Sequence, residues 1–229
     1  MYDYYLSYGL VLVGIVITSL AALNVNTTFK KYSRVMNARG LTGMDVARMM
    51  LEQAGIYDVT IQPIQGHLTD HYSPKEKVLR LSESVYDKRS VAALGVAAHE
   101  CGHAIQHKEG YAPLKLRSIS VPLANIGSWL SWPVIILGIA LDWMGLAEAG
   151  IFLFSFVVLF QLITLPVEFN ASRRALRVLE TGGYLSSEEL GGSRKVLTAA
   201  AMTYVAALLS TILQLLRLLM IVGGGRRRN

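Results

Sequence analysis

One cysteine, Cys101, leaves this chain with no possible intrachain disulfide, a composition compatible with a reducing compartment. Charge is also scarce: Asp, Glu, Lys and Arg make up 17% of 229 residues, while 52% are apolar. A soluble globule of this length carries about a quarter charged residues, so membrane segments are expected instead. No lysine or arginine precedes the first apolar run, only Asp3, which excludes the pattern of a cleaved signal peptide and points to an anchor. No aromatic–basic interleave of the single-strand-binding kind is present, so the formal charge of +6 reports membrane topology and not a nucleic-acid partner. The apolar segments lack the acidic and histidine residues of an ion path, which argues against a metal-ion carrier. There is no internal repeat.

Four apolar runs are present. Gly9 to Leu23 is the first, with Tyr2, Tyr4, Tyr5 and Tyr8 as an expected interfacial belt and Lys30, Lys31, Arg34 and Arg39 following. Val121 to Leu141 and Ala149 to Pro166 are separated by Asp142 and Glu148 without a base. Lys115 and Arg117 precede this pair, and Arg173, Arg174 and Arg177 follow it. That asymmetry predicts a transmembrane hairpin with its tip outside and both flanks inside, and places the N-terminus outside. Ala199 to Val222 is the fourth run, with Thr203, Ser210, Gln214 and Arg217 on one stripe that wants a protein partner. It either spans, which puts Arg226, Arg227 and Arg228 outside against the charge tendency, or packs on the core at the membrane surface. Gly223-Gly224-Gly225 reads as a loose tail.

Between the runs, Thr42-Gly43-Met44-Asp45 resembles a capping box with Asp for Glu, and Gly55 closes the helix that follows. Val59 to Ile64 and Val78 to Ser82 alternate like strands, around a polar loop from Gly66 to Pro74. The second strand is expected either to offer a free edge to an extended peptide or to be an ordinary sheet strand. Thr181-Gly182-Gly183-Tyr184 reads as a turn, and Ser186-Ser187-Glu188-Glu189 as another helix start.

The chemistry lies in Val96-Ala97-Ala98-His99-Glu100-Cys101-Gly102-His103-Ala104-Ile105. Asp87 to Ser90 supplies a helix start and Gly110 with Pro113 a stop. Residues four apart share a helical face, so His99 and His103 can point two imidazoles at one ion. Glu100 can then reach a water bound to it. Two neutral nitrogens, one carboxylate base and an open metal position form the zinc-hydrolase arrangement. The alternative, a polar stripe facing solvent, competes with the apolar body of this helix. Cys101 lies off the ligand face and reads as core filler. His107 shares a face with His103 but is two turns from His99, at about 5.4 Å per turn, and is rejected as a third ligand.

Two histidines and a water leave one protein position to fill. Glu168, a carboxylate immediately after an apolar segment, is the best candidate; Asp70, His67, His71 and Glu180 compete. His99-Glu100-Cys101-Gly102-His103, then a membrane hairpin, then Glu168-Phe169-Asn170-Ala171-Ser172, resembles the neutral zinc metallopeptidases of bacterial membranes, the YugP-like family. The order is also similar to that of HtpX-type membrane proteases. The resemblance covers most of the chain, including Leu68-Thr69-Asp70-His71-Tyr72 and Leu79-Arg80-Leu81-Ser82. It implies a glutamate-zincin core, proteolysis, and Glu168 as the third ligand. One position departs: HtpX-type sequences carry Asp four residues after the ligand Glu, and here Ser172 stands there. The hydroxyl of Ser172, or Asn170, can accept the imidazole N–H instead.

The expected fold is a mainly α integral membrane protein with a small α+β zincin-like core and three to four membrane helices. Residues 1–25 form the anchor, 26–118 the catalytic part, 119–167 the hairpin, 168–200 the third-ligand helix and its successor, and 201–229 the last apolar helix and basic tail. The expected activity is that of a zinc endopeptidase holding one Zn2+ through His99, His103 and Glu168, with Glu100 as general base. His67, His71, Tyr72, Arg173 or Arg174 would contact substrate or oxyanion. The partners are a polypeptide, membrane proteins included, and the bilayer of a bacterial plasma membrane, with the site on the cytoplasmic side. The rival reading is an inactive scaffold or chaperone of the same fold with structural zinc. Glu100 beside an open ligand set disfavours it, because structural sites usually fill all four positions with protein.

Overall fold

The computed structural model describes residues 2–226, with side chains from 7 to 223. The belt expected at Tyr2, Tyr4 and Tyr5 and the charges expected at Arg226, Arg227 and Arg228 lie outside those described side chains. The described chain is six helices and one three-stranded sheet, the mainly helical architecture expected. Four helices are long and apolar enough to cross a membrane: Ser7–Tyr32, Ala112–Ala140, Met144–Thr181 and Ser187–Gly223. The chain divides into two compact units, Met1–Ala22 with Leu116–Leu165 and Thr203–Asn229, and Leu23–Lys115 with Pro166–Met202.

The first unit holds the apolar stretches of α1 (Tyr2–Tyr32), α4 (Ala112–Ala140), α5 (Met144–Thr181) and α6 (Ser187–Arg226). Its buried cluster joins Ile135 of α4 to Ile151, Phe154 and Val158 of α5 and Leu208, Leu218 and Val222 of α6. At Gly127 an added Cβ would stand 2.5 Å from the Leu153 carbonyl oxygen, so α4 and α5 approach backbone to backbone as small residues permit in lipid. Leu12, Ile15, Val16 and Leu20 of α1 are exposed, which is costly in water and neutral against acyl chains. α6 is continuous to Arg226. The three glycines expected as a loose tail are therefore its last turn.

The second unit carries the site. α2 (Gly43–Gln53) starts at the expected capping box: the Asp45 N–H donates to Thr42 Oγ1 at 3.1 Å and the Thr42 N–H to Asp45 Oδ2 at 2.9 Å. Its end is the left-handed Gly55. Three strands follow, β1 (Thr60–Ile64), β2 (His71–Ser73) and β3 (Val78–Ser82), in the order β1-β3-β2. β3 runs parallel to β1 and antiparallel to β2. This corrects one expectation and decides between two others. The loop from Gly66 to Pro74 contains a strand, and β3 is an ordinary sheet strand paired on both sides, so the free edges belong to β1 and β2. Pro63, which has no N–H to donate, is tolerated because β1 is an edge strand.

Leu79 and Leu81 of β3 pack with Val46 and Met50 of α2 and with Leu94, Ala97, Ala98 and Cys101 of α3 (Val91–Lys108) in one buried core. The Ser90 hydroxyl caps α3 by accepting the Ala93 N–H at 3.2 Å, and the left-handed Gly110 follows its end. α6 begins with a reciprocal cap: the Ser186 N–H donates to Glu189 Oε2 at 2.7 Å and the Glu189 N–H to Ser186 Oγ at 3.3 Å.

Candidate metal centre

The uniform helical geometry of α3 sets His99 and His103 one turn apart, with ring centroids 4.8 Å from each other. Glu168 arrives from α5, which continues unbroken through Pro166. Its carboxylate is 2% exposed, and Oε2 lies 3.3 Å from His99 Nε2 and 3.6 Å from His103 Nε2. One ligand atom from each of the three residues falls within 4.8 Å of the others, so the group can hold a metal ion. The donors fit zinc on chemistry, and the two carboxylate–imidazole separations fit it on distance. A tetrahedron with arms of about 2.0–2.2 Å, the length of zinc bonds to imidazole and carboxylate, has edges of about 3.3–3.6 Å.

α3 and α5 can approach this closely because of Gly102, inside the motif itself. A Cβ there would meet the Ala171 carbonyl oxygen at 2.7 Å and the Ala171 Cα at 3.1 Å. One turn before Ala171 on the same helix is Glu168, so this contact fixes how far its carboxylate lies from the imidazoles.

Both imidazoles are held by their other nitrogen. His99 Nδ1 is 3.1 Å from Ser172 Oγ, and His103 Nδ1 is 3.0 Å from Gln106 Oε1. An Nδ1–H that donates to an oxygen leaves Nε2 bare toward the ion, the tautomer that a metal needs. Gln106, fully buried, donates in turn to the Val167 carbonyl at 2.9 Å and to Asn170 Oδ1 at 2.9 Å. Asn170 Oδ1 also accepts from Arg174 Nε at 2.7 Å, and Arg174 pairs with Glu109 at 2.7 Å. Sequence reasoning passed over Gln106. Its only signal is its place one turn after His103 on the same face.

The centre attracts positive charge. Burial disfavours a charged His103, but its contact with Glu168 and the carboxylates of Glu100 and Glu168 outweigh burial and raise its pKa. Asp70 is pushed above the ordinary aspartate range, first by burial, against the Ser82 N–H and hydroxyl that donate to it at 2.7 and 2.8 Å. The Glu100 charge pushes it up further, so these two carboxylates face a common region.

The remaining expected site residues have other contacts. His67 stacks edge-on against Phe29 at 5.2 Å. His71 Nδ1 is bonded to the Thr69 carbonyl at 2.9 Å, and its Nε2 is 3.4 Å from Arg80. Tyr72 shares a 2.8 Å hydrogen bond with His107 beside a cleft of about 480 Å³. Burial pushes the Tyr72 phenol up, aided by the charge of Asp58. Arg173 and Glu180 line a separate groove on α5, next to Ser172. Cys101 is fully buried, its Sγ 3.6 Å from the Ala47 carbonyl, and burial raises its pKa far out of reach of thiolate chemistry. The core-filler expectation fits that environment.

A metal-binding pair on a buried helix, a glutamate from a later helix and four apolar helices define a zinc-peptidase-like membrane protein. Comparison with known proteins agrees: the chain belongs to the family described as "Putative neutral zinc metallopeptidase", whose profile matches residues 7–223. It is 48% identical over 186 residues to "Putative membrane protease YugP" of Bacillus subtilis (strain 168), covering 81% of this chain and 83% of that protein. No solved structure matches the chain.

Proposed function

We propose that the protein is a zinc-dependent endopeptidase of the bacterial plasma membrane, with one ion held by His99, His103 and Glu168 and with Glu100 as general base. The observation that carries this reading is the convergence within 4.8 Å of three ligand atoms, two from half-buried histidines and one from a buried glutamate, on two helices distant in sequence. A zinc ion there supplies a Lewis acid for the scissile carbonyl and brings the attacking water within reach of ionisation near neutral pH. Glu100 takes the water's proton and delivers it to the leaving amine. Ser172 and Gln106 keep Nε2 of each imidazole facing the ion. The unpaired edge of β2 offers backbone groups to an extended polypeptide, with Tyr72 and His71 on that strand beside it.

The charge pattern supports a cytoplasmic site. Lys30 and Lys31 end α1, Lys115 and Arg117 lie in the first two turns of α4, and Arg173 and Arg177 follow the apolar part of α5. The test is Glu100→Gln in purified full-length protein, with zinc content and casein-type cleavage measured together. Retained zinc with loss of cleavage is expected. Full activity in that variant, or a wild type that binds no zinc, overturns the reading. Wild type that binds zinc and cleaves nothing favours the inactive scaffold.

A further inference from the structure

A groove of about 510 Å³ runs between α5 and α6, lined by Arg173 and Arg177 from one helix and Arg194 from the other. We propose that it binds an anionic phospholipid, with the phosphate held among these three guanidinium groups. Arg173 and Arg177 are one turn apart on one face, where like charges repel unless an anion lies between them. None of the three has an ion-pair partner among the described residues, and Glu180 is the one carboxylate in the lining. The lining therefore carries a net positive charge, and the planar fork of arginine matches phosphate oxygens two at a time.

The depth and the floor of the groove choose lipid over a soluble anion. Arg173 lies seven residues beyond Pro166, about 10 Å along the helix from the end of the apolar run, and Arg194 lies five residues before Ala199, about 8 Å from the start of the next. A headgroup layer is about 5–8 Å thick on each side of the hydrocarbon, and arginine side chains reach back across the remainder. Toward the apolar runs the lining turns apolar, with Phe169 one turn before Arg173 and Leu197 one turn after Arg194, and Phe169 is 43% exposed. A charged upper end over an apolar lower end is complementary to a phosphate ester joined to acyl chains. The volume falls within the roughly 300–1,000 Å³ of small-ligand sites. Ser172 lines the same groove while bonding His99, which makes the lipid a neighbour of the metal centre. The proposal does not depend on the proteolytic reading.

The test uses the full-length protein in a neutral detergent. Thermal unfolding and lipid retention on repurification are measured with phosphatidylglycerol, phosphatidylcholine or inorganic phosphate added. Phosphatidylglycerol should raise the unfolding midpoint by several degrees and co-purify, and phosphatidylcholine should do neither. The R173Q/R177Q/R194Q variant should bind phosphatidylglycerol at least tenfold more weakly. A control losing three bases elsewhere, R48Q/K75Q/K88Q, should bind as wild type does. If the triple variant does not fold, R194Q alone should show a several-fold loss. Equal retention by variant and control overturns the proposal. So does a phosphatidylcholine effect of the same size, or a full shift with inorganic phosphate alone, which would mark a free-phosphate site.

Discussion

Gly102→Ala tests whether the contact between α3 and α5 sets the spacing of the ligands. The new Cβ would lie 2.7 Å from the Ala171 carbonyl oxygen, and ordinary contact begins at 3.4 Å, so α5 must retreat by about 0.7 Å at that point. The obstacle is backbone and cannot rotate away. Metal–ligand distances in working sites hold to within about 0.2 Å, so a carboxylate one turn from Ala171 moves out of bonding distance of the ion or binds strained. Zinc affinity should fall at least tenfold, the lower end of what disturbing ligand-supporting groups costs. Stability is the less decisive measure. Overpacking costs about 1–3 kcal/mol, while replacing Gly by Ala in a helix returns about 1 kcal/mol. Gly95→Ala is the internal control, seven residues earlier on the same face of α3. Its Cβ would meet the Ser193 Cβ at 3.1 Å, a contact relieved by a few tenths of an ångström. Chelator-competition titration of zinc on both variants is the assay. Gly95→Ala should bind as wild type does, and a Gly102→Ala protein with affinity within twofold of wild type would refute the argument.

Three further outcomes follow from the same geometry. Ser172→Ala, which removes the 3.1 Å partner of His99 Nδ1, should weaken zinc about tenfold in the same titration. Gln106→Leu strips the partner from His103, removes the side-chain donor to the Val167 carbonyl and leaves Asn170 Oδ1 with Arg174 alone. It should lower both zinc affinity and, by about 1–3 kcal/mol, the stability read by thermal unfolding of the metal-free protein. Asp45, held below its ordinary pKa of 3.8 by its hydrogen bonds with Thr42, favours the folded state when ionised. Its contribution is therefore present above pH 3.8 and lost as pH falls through the lower folded value. Asp45→Asn should destabilise α2 at pH 7, and the gap between variant and wild-type unfolding midpoints should close as the pH falls below 3.8.

What the sequence made legible follows from local rules. The spacing of His99 and His103, the capping box at Thr42, the turn after Thr181 and the four apolar runs each depend on neighbours a few residues away. Glu168 stood out because a carboxylate next to an apolar segment requires a partner. What stayed hidden depends on distant contacts. β2 is three residues, His-Tyr-Ser, with no apolar alternation to betray it. That β3 is central is decided by pairing with residues on either side of it in space, which strand composition does not record. Gln106 looks like any polar residue near a helix end until its burial is known.

The choice of supporting groups has an electrostatic logic. Glu168 and Glu100 bring two negative charges to the centre, which one divalent cation would balance. A carboxylate in place of Ser172, as in HtpX-type sequences, would add a third negative charge to a buried region where Asp70 is already disfavoured as an anion. Burying unbalanced charge is costly, whereas a hydroxyl or an amide oxygen can accept the imidazole N–H without adding any. With Ser172 and Gln106 as acceptors, both tautomers would be fixed while a bound divalent cation kept the centre near neutrality. A neutral acceptor is a weaker partner for an imidazole than a carboxylate, so each histidine is less basic toward the metal than a carboxylate-supported one. The close contact at Gly102 then matters more, because ligand placement has to supply what ligand basicity does not.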